Sequence, residues 1–331
     1  MIDLPRVYSL WNHLALSQSY FPIMSIKTLL IPALNQPPKR DHQLPEFEAG
    51  TSIPRIIHQT FYTRELPERL QVNVDELRAL NPGWEYRFYD DADIAAFIQE
   101  NYPPLVWDYY QRIDKRYGAA RADLFRYLLM YKVGGVYLDI KSGATRPLDS
   151  VLRADDRFLL SKWHTADGGY EHWGLVYDLR HLLGGEYQQW HIVCAPGHPF
   201  LKAVLEQVFE NIDKYDPHLH QTGKRGVLRV TGPVPYTLAI ERIMDKYPHR
   251  VLDARNALGL EYNVYDGDQG HVKVFKGHYS LQTASIVKLG PLKRQLSHVY
   301  ALAQLVHDRV LRSRADAKLE PIEKPPGVSA G

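Results

Sequence analysis

The sequence predicts an α/β fold, on three observations. Short β-branched or aromatic runs alternate with helical patterns through the first half of the chain. One helical block, "YGAARADLFRYLLMYKVGG" at 117–135, feeds through Gly-Gly directly into the apolar run "VYLDI". That run ends in an acid, Asp139, at the sheet edge where α/β ligand crevices lie.

Taken in order, "IPRIIHQTF" (53–61) reads as a buried first strand ending near His58. "ELPERLQVNVDELRAL" (65–80) is a helix with Leu70, Val74 and Leu77 on one side, stopped by "NPG". The aromatic "WEYRFYD" (84–90) is a second strand, and Asp91 is placed to cap the helix "DADIAAFIQEN". The 117–135 helix carries Leu124, Leu128 and Tyr131 at helical spacing, with Gly134 placed to end it. Further on, 187–195 and 271–275 read as strands, and 198–212 and 233–247 as helices.

Residues 1–50 end in "NQPPKRDHQLPEFEAG" and read as an extension and linker, 51–300 as the main domain, and 301–331 as a helix and disordered tail. A length of 331 residues suits about two domains, or one large α/β domain with insertions. The composition, 45% hydrophobic and 24% charged, is that of a globular protein, and a net charge of +2 gives no argument for a nucleic-acid partner. The single Cys194 rules out an intrachain disulfide framework and a cysteine-based zinc site. No signal peptide or membrane span is evident, so the expectation is a cytoplasmic chain, either free or peripheral to a membrane. The apolar stretch at 20–34 is too short and too broken by Pro22, Lys27 and Pro32 to span, and either packs on the main domain or lies on a membrane surface.

Asp123 and Arg126 stand three apart on one helical face, beside the small Ala119 and Ala122. Alone they read as a solvated ion pair. Their helix leads straight to Asp139, however, so the three groups can converge on one crevice, where a carboxylate and a guanidinium suit sugar hydroxyls. Trp163, His164 and Trp173 lie in a Gly-containing loop, where flat rings can cover a sugar acceptor or pack in a core; His164 and His172 lack the spacing of a metal site.

"IPRIIHQTF", "NPGWEYRFYDD", "ARADLFRYLLMYKVGGVYLDI", "APGHPFL" and "VTGPVPYTLAI", in this order, resemble the DXD-motif glycosyltransferases of the sugar-binding-region type, over roughly residues 53–245. That group includes yeast initiating mannosyltransferases and bacterial capsular-polysaccharide enzymes. The resemblance implies a GT-A fold, a nucleotide-sugar donor and transfer with retention of configuration, by front-face attack in which the departing phosphate takes the acceptor proton. It implies that Asp123 and Arg126 hold the donor sugar and that Asp139 is the first acid of the DXD motif, near sugar, ribose and metal. It sets His58, Gln59 and Thr60 against the nucleotide, although His58 reads equally well as a buried strand residue. "TGP" at 231–233 opens a helix whose amides could meet a phosphate, or is a plain turn.

The departure is Lys141, where the motif calls for a second acid. Mg²⁺ and Mn²⁺ need oxygen ligands, so a protonated lysine is not one. Either Lys141 itself supplies positive charge to the leaving diphosphate, or it points away and a divalent ion is held by Asp139 and a later residue such as His278. A third possibility is a solvated lysine beside a dead site.

The function expected is transfer of a hexose from a UDP- or GDP-sugar to a glycan, lipid-linked or protein hydroxyl, in polysaccharide, capsule or other glycan synthesis. The alternatives are a nucleotide-sugar or glycan-binding module without turnover, and a toxin-like glycosyltransferase acting on protein.

Overall fold

A computed structural model of the chain describes residues 33–163, 173–265, 282–299 and 301–302. The expected strand at 271–275, His278, His164, His172, residues 20–32 and the tail from 303 lie outside the described residues. The chain divides into Met1–Ala33 and Leu34–Gly331, and the elements below all belong to the second unit.

The first strand is β1 (Ile56–Thr60), followed by α1 (Glu68–Leu80), β2 (Glu85–Tyr89) and α2 (Asp91–Asn101). Asp90, rather than Asp91, caps α2, its carboxylate accepting from the amides of Ala92 and Asp93 while Asp93 reaches back to the cap amide. A helix not predicted from the sequence, α3 (Pro104–Arg112), precedes α4 (Gly118–Val133). Every residue of α4 from Asp123 to Tyr131 is buried, so it is a central helix rather than an amphipathic one.

The chain leaves α4 through Gly134, with φ of 68°, into β3 (Gly135–Leu138), and then forms β4 (Gly143–Ala144), β5 (Phe158–Leu160) and β6 (His191–Cys194). After these come α5 (Pro199–Lys214), the single turn α6 (Pro217–His220), α7 (Gly223–Val230), α8 (Pro233–Glu241), β7 (Arg250–Val251) and β8 (Leu260–Glu261). The helix expected over 233–247 stops at Glu241, and a short turn follows at Met244–Lys246.

The main sheet has the order β2-β1-β3-β6-β5-β7. β1 runs parallel to β2 and β3, and β6 runs antiparallel to both β3 and β5. The α/β class expected from the sequence is what the structure shows. One face of the sheet packs Tyr137, Ile192 and Cys194 against α4 and α5; the other packs Ile57, Val136, Leu138 and Val193 against Trp84, Leu148 and Trp190. β4 and β8 pair as a separate antiparallel ribbon just beyond the end of β3. Among the described residues, no helix is long and apolar enough to cross a membrane.

Residues 34–50, polar and proline-rich, form a strap on the helical layer rather than a free linker. Asn35 exchanges hydrogen bonds with Asn211, and its side chain also donates to the carbonyl of Arg229. His42 is buried between the Tyr109 hydroxyl and the Glu210 carboxylate, each at 3.1 Å. The Gly50 amide closes the strap by donating to the Pro196 carbonyl.

Candidate functional site

The site grows from the C-terminal end of β3, where the backbone turns out of the sheet at Asp139. The Asp139 amide donates to the Trp190 carbonyl, and the Ser142 amide donates back to the Asp139 carbonyl, making a tight turn over 139–142. Gln59, fully buried at the end of β1, holds that turn from below. Its amide donates to the carbonyl of Asp139 at 3.2 Å and of Ser142 at 3.4 Å, and its oxygen accepts from the Tyr86 hydroxyl. Asn73 of α1 donates to the carbonyls of Ile140 and Ser142 from the other side. The chemistry-bearing loop is thereby fixed by side-chain amides, which costs little reorganisation when a ligand arrives.

Asp123, Arg126 and Asp139 converge as the sequence predicts. The Arg126 guanidinium lies 3.3 Å from Asp123 and 3.1 Å from Asp139, and rests on the Tyr137 ring at 4.9 Å. It also donates to the carbonyl of Gln189 at 2.7 Å. This is no solvated pair, since Asp123 is 3% exposed and Arg126 5%. Burial pushes the Asp123 carboxyl above the usual carboxylate range, while Arg126 and hydrogen bonds from Gln189 and Thr231 pull it back. Asp139 keeps a 23% exposed side chain, so of the three it is the one that presents oxygen to the crevice.

Lys141 is 8% exposed, which removes the reading of a solvated loop lysine. Its ammonium donates to the Tyr262 hydroxyl at 2.7 Å and sits 3.9 Å from that ring's centroid. The ribbon explains the pairing: the Val264 amide donates to the Lys141 carbonyl, and the Ser142 hydroxyl to the Tyr262 carbonyl. Burial lowers the Lys141 pKa to about 8, with Asp139 raising it and Arg126 lowering it further. Around neutral pH Lys141 is still mostly a cation, held beside Asp139.

The donor set at this turn is one exposed carboxylate, Asp139, already paired with Arg126, and a lysine in place of the second acid. Among the described residues no group of three or more His, Cys, Asp or Glu could hold a metal ion. Hard divalent ions take six or more oxygens, and these side chains do not assemble them. His278, the other residue considered for that role, lies outside the described residues.

Two expectations for nearby residues meet different geometry. His58 is fully buried, its ring nitrogens engaged with the Tyr89 hydroxyl at 3.2 Å and the Gly134 carbonyl at 3.0 Å, and burial lowers its pKa to about 4. It ties β1 to β2 and to the α4–β3 turn, and has no free edge for a nucleotide. Thr60 is half-buried, with its hydroxyl donated to the Tyr89 carbonyl. In "TGP" the amides of Thr231 and Gly232 both donate to the Val227 carbonyl, so they are not open to a phosphate; the Thr231 hydroxyl serves Asp123 instead.

Three contributors went unmarked in the sequence, Gln189, Trp190 and Tyr262, and Thr231, marked there for its amide, contributes through its hydroxyl instead. Gln189 and Trp190 follow no motif and reach the site because β6 pairs with β3. Tyr262 sits 121 residues from Lys141 and arrives through the β4–β8 ribbon, a pairing of two residues per strand that leaves no periodic signal.

The chain is similar to known glycosyltransferases. The family model described as glycosyltransferase sugar-binding region containing DXD motif matches residues 67–159, which include α4, β3 and the turn at Asp139. Inositol phosphoceramide mannosyltransferase 1 of Schizosaccharomyces pombe is 30% identical over 237 residues, 67% of this chain and 65% of that protein. Inositol phosphoceramide mannosyltransferase 3 of the same yeast is 40% identical over 103 residues, 31% of this chain and 28% of that protein. The chain thus spans just under two thirds of the length of one of these relatives and under a third of the other. Among solved structures, the UDP-bound glycosyltransferase domain from the YGT toxin is matched over 65% of this chain and 82% of that one, with a TM-score of 0.45 and 9% identity.

Proposed function

We propose, from the premise that residues 67–159 belong to the glycosyltransferase sugar-binding region containing the DXD motif, that the protein transfers a hexose from a nucleoside-diphosphate sugar to a hydroxyl acceptor. The observation that carries this reading is the convergence of Asp123, Arg126 and Asp139 at the end of β3, with the Lys141 ammonium held beside them. In this reading Asp139 accepts from hydroxyls of the donor, and Arg126, fixed by Asp123 and Tyr137, sets the direction of that carboxylate. Lys141 lies where a leaving diphosphate needs compensation. Asp123, Arg126, Asp139 and Lys141 together carry two formal charges of each sign, so a diphosphate brings negative charge that a preorganised ammonium stabilises.

The relatives named for mannosylating inositol phosphoceramide favour mannose as the hexose and a lipid-linked or glycan hydroxyl as acceptor, in preference to a capsular polysaccharide. Transfer is expected with retention of configuration.

Labelled GDP-mannose and UDP-hexoses, incubated with the purified chain, test the proposal through release of free sugar or transfer to added glycosides. Asp139→Asn should abolish turnover with a melting temperature close to wild type. Nucleotide binding without turnover of any donor would leave a binding module and overturn the proposal.

A further inference from the structure

Beyond β8 the residues at 291–299 and 301–302 are helical, and this helix wears its amphipathic pattern inside out. On a period of 3.6 residues Leu292, Leu296 and Val299 share one face, with Leu302 at its edge, and Lys293 and Ser297 lie on the opposite side. Burial runs against polarity. Leu292, Leu296, Val299 and Leu302 are 71%, 61%, 64% and 64% exposed, whereas Ser297 is 4% exposed and the Lys293 ammonium turns inward to donate to the Asp213 carbonyl at 2.6 Å. The helix is fastened to the body at its start: Ile286 and Val287 are buried, Val287 bridges to Ile113, and the Lys288 amide donates to the Arg112 carbonyl. A row of large apolar side chains held toward water on a fastened helix marks an interaction surface.

Charge says what kind of partner fits. A cleft of about 300 Å³ along the flank of the helix is lined by Arg116, His218, Lys288, Arg294 and His298, with Asp114 its one acid. Asp114 is taken by Arg116 at 2.8 Å, so the positive charge of Lys288 and Arg294 is uncompensated within the cleft. The sequence continues the same character. From 288 to 314 it carries Lys288, Lys293, Arg294, Arg309, Arg312 and Arg314 against the single acid Asp308, and Val306 and Val310 repeat the apolar spacing. In a chain whose net charge is only +2, this is a local concentration. A second copy would set that charge against itself. Residues 1–32 bring no acidic complement either, with Asp3 against Arg6 and Lys27.

We propose that this helix lies on an anionic phospholipid surface, with Leu292, Leu296, Val299 and Leu302 entering the acyl boundary and the cleft of Lys288 and Arg294 facing the lipid phosphates. An apolar face bordered by Lys and Arg is the arrangement that binds in the plane of a bilayer, since burial of the apolar side chains and attraction to anionic headgroups then act together. The inference stands on the helix and its flank, independently of the transfer reaction.

The full chain is sedimented with vesicles of phosphatidylcholine alone and of phosphatidylcholine and phosphatidylglycerol in equal parts, at low and at high salt. Binding to the anionic vesicles is expected, weakening as salt rises, with phosphatidylcholine alone bound far less. Leu296→Asp should lower the partition by at least about tenfold and Arg294→Gln by about fivefold. Neither residue belongs to the Asp139 turn, so donor hydrolysis in solution and the melting temperature should stay as in wild type. If the chain ignores the anionic vesicles, the proposal falls. It falls equally if Leu296→Asp binds them as wild type does, which would assign the binding to another segment such as 20–34. Without vesicle binding, self-association abolished by Leu296→Asp would give the face to a second copy, and a melting temperature lowered in that variant would give it to another part of this chain. Any of these failures leaves the glycosyl-transfer reading untouched, because donor hydrolysis is measured separately.

Discussion

In the proposed transfer Lys141 is the residue that compensates the leaving diphosphate, because it stands where the DXD motif has an acid and carries a positive charge itself. Its ordinary value of 10.5 is lowered to about 8 by burial, so raising pH removes its charge across that value. Nucleoside diphosphate affinity measured without metal should therefore weaken as pH rises through about 8, and binding above that pH should take up a proton. Lys141→Met should flatten this profile and weaken binding at pH 7 by about 10- to 100-fold, the worth of a charge-assisted hydrogen bond. With EDTA present, wild-type turnover should persist. Strict Mn²⁺ dependence together with a mild Lys141→Met effect would reject this role. His58 gives the opposite contrast at the same scale. With both ring nitrogens engaged inside the sheet, His58→Ala should lower stability by about 2–4 kcal/mol and leave nucleotide affinity per folded molecule unchanged. A selective loss of nucleotide binding, at wild-type stability, would return His58 to the site.

At the level of elements, the junction of α4 and β3 positions everything else. Gly134 takes φ of 68°, and a Cβ there would lie 2.6 Å from the Pro196 nitrogen and 2.8 Å from the Cys194 carbonyl. Gly134→Ala should cost about 2–4 kcal/mol, through left-handed strain and overpacking, and should displace Asp139 relative to Arg126. Denaturant unfolding alongside turnover checks it, and a variant as stable and active as wild type would show that the turn tolerates a side chain. This junction was legible because its signals are local: Leu124, Leu128 and Tyr131 on a helical period, Gly-Gly at the stop, then an apolar run. Pairings that depend on distant segments were not. β5, β7 and β8 are two or three residues long, below the length at which alternation can be counted, and β6, which lies within the strand expected at 187–195, shows four buried residues in a row that name no partner. For the same reason Asp123, Arg126 and Asp139 could be placed together from spacing, while Gln189 and Tyr262 could not. Composition misled over 34–50, where prolines and charges suggest a linker, but specific hydrogen bonds from Asn35 and His42 fasten the strap to α3 and α5.

Across the whole molecule three buried histidines, His58 and His191 in the sheet and His198 at the start of α5, are kept neutral, and this sets how the fold responds to acid. His58 and His198 are lowered from 6.5 to about 4 and His191 to about 3, with burial the leading cause in each. The unfolded chain binds protons at these residues between about 4 and 6.5 while the native state does not. Their contribution is fully present above 6.5 and is lost as pH falls toward 4, each worth up to about 3 kcal/mol. Glu186 acts in the other direction: raised from 4.5 to about 7, it stabilises the native state at low pH and loses that contribution as pH rises through 7. Asp123, also raised by burial, has the same sign as Glu186. Between 4.5 and 6.5 the three histidines outweigh Glu186 and Asp123, because three groups refuse protons there for two that take one up early. The midpoint of thermal unfolding should fall as pH drops from 6.5 to 4.5. Glu186→Gln, which removes one of the opposing groups, should make that fall steeper. A midpoint that is flat or rises over this interval would mean that the histidines are protonated in the native state, and that the hydrogen bonds drawn for His58 are made by imidazolium.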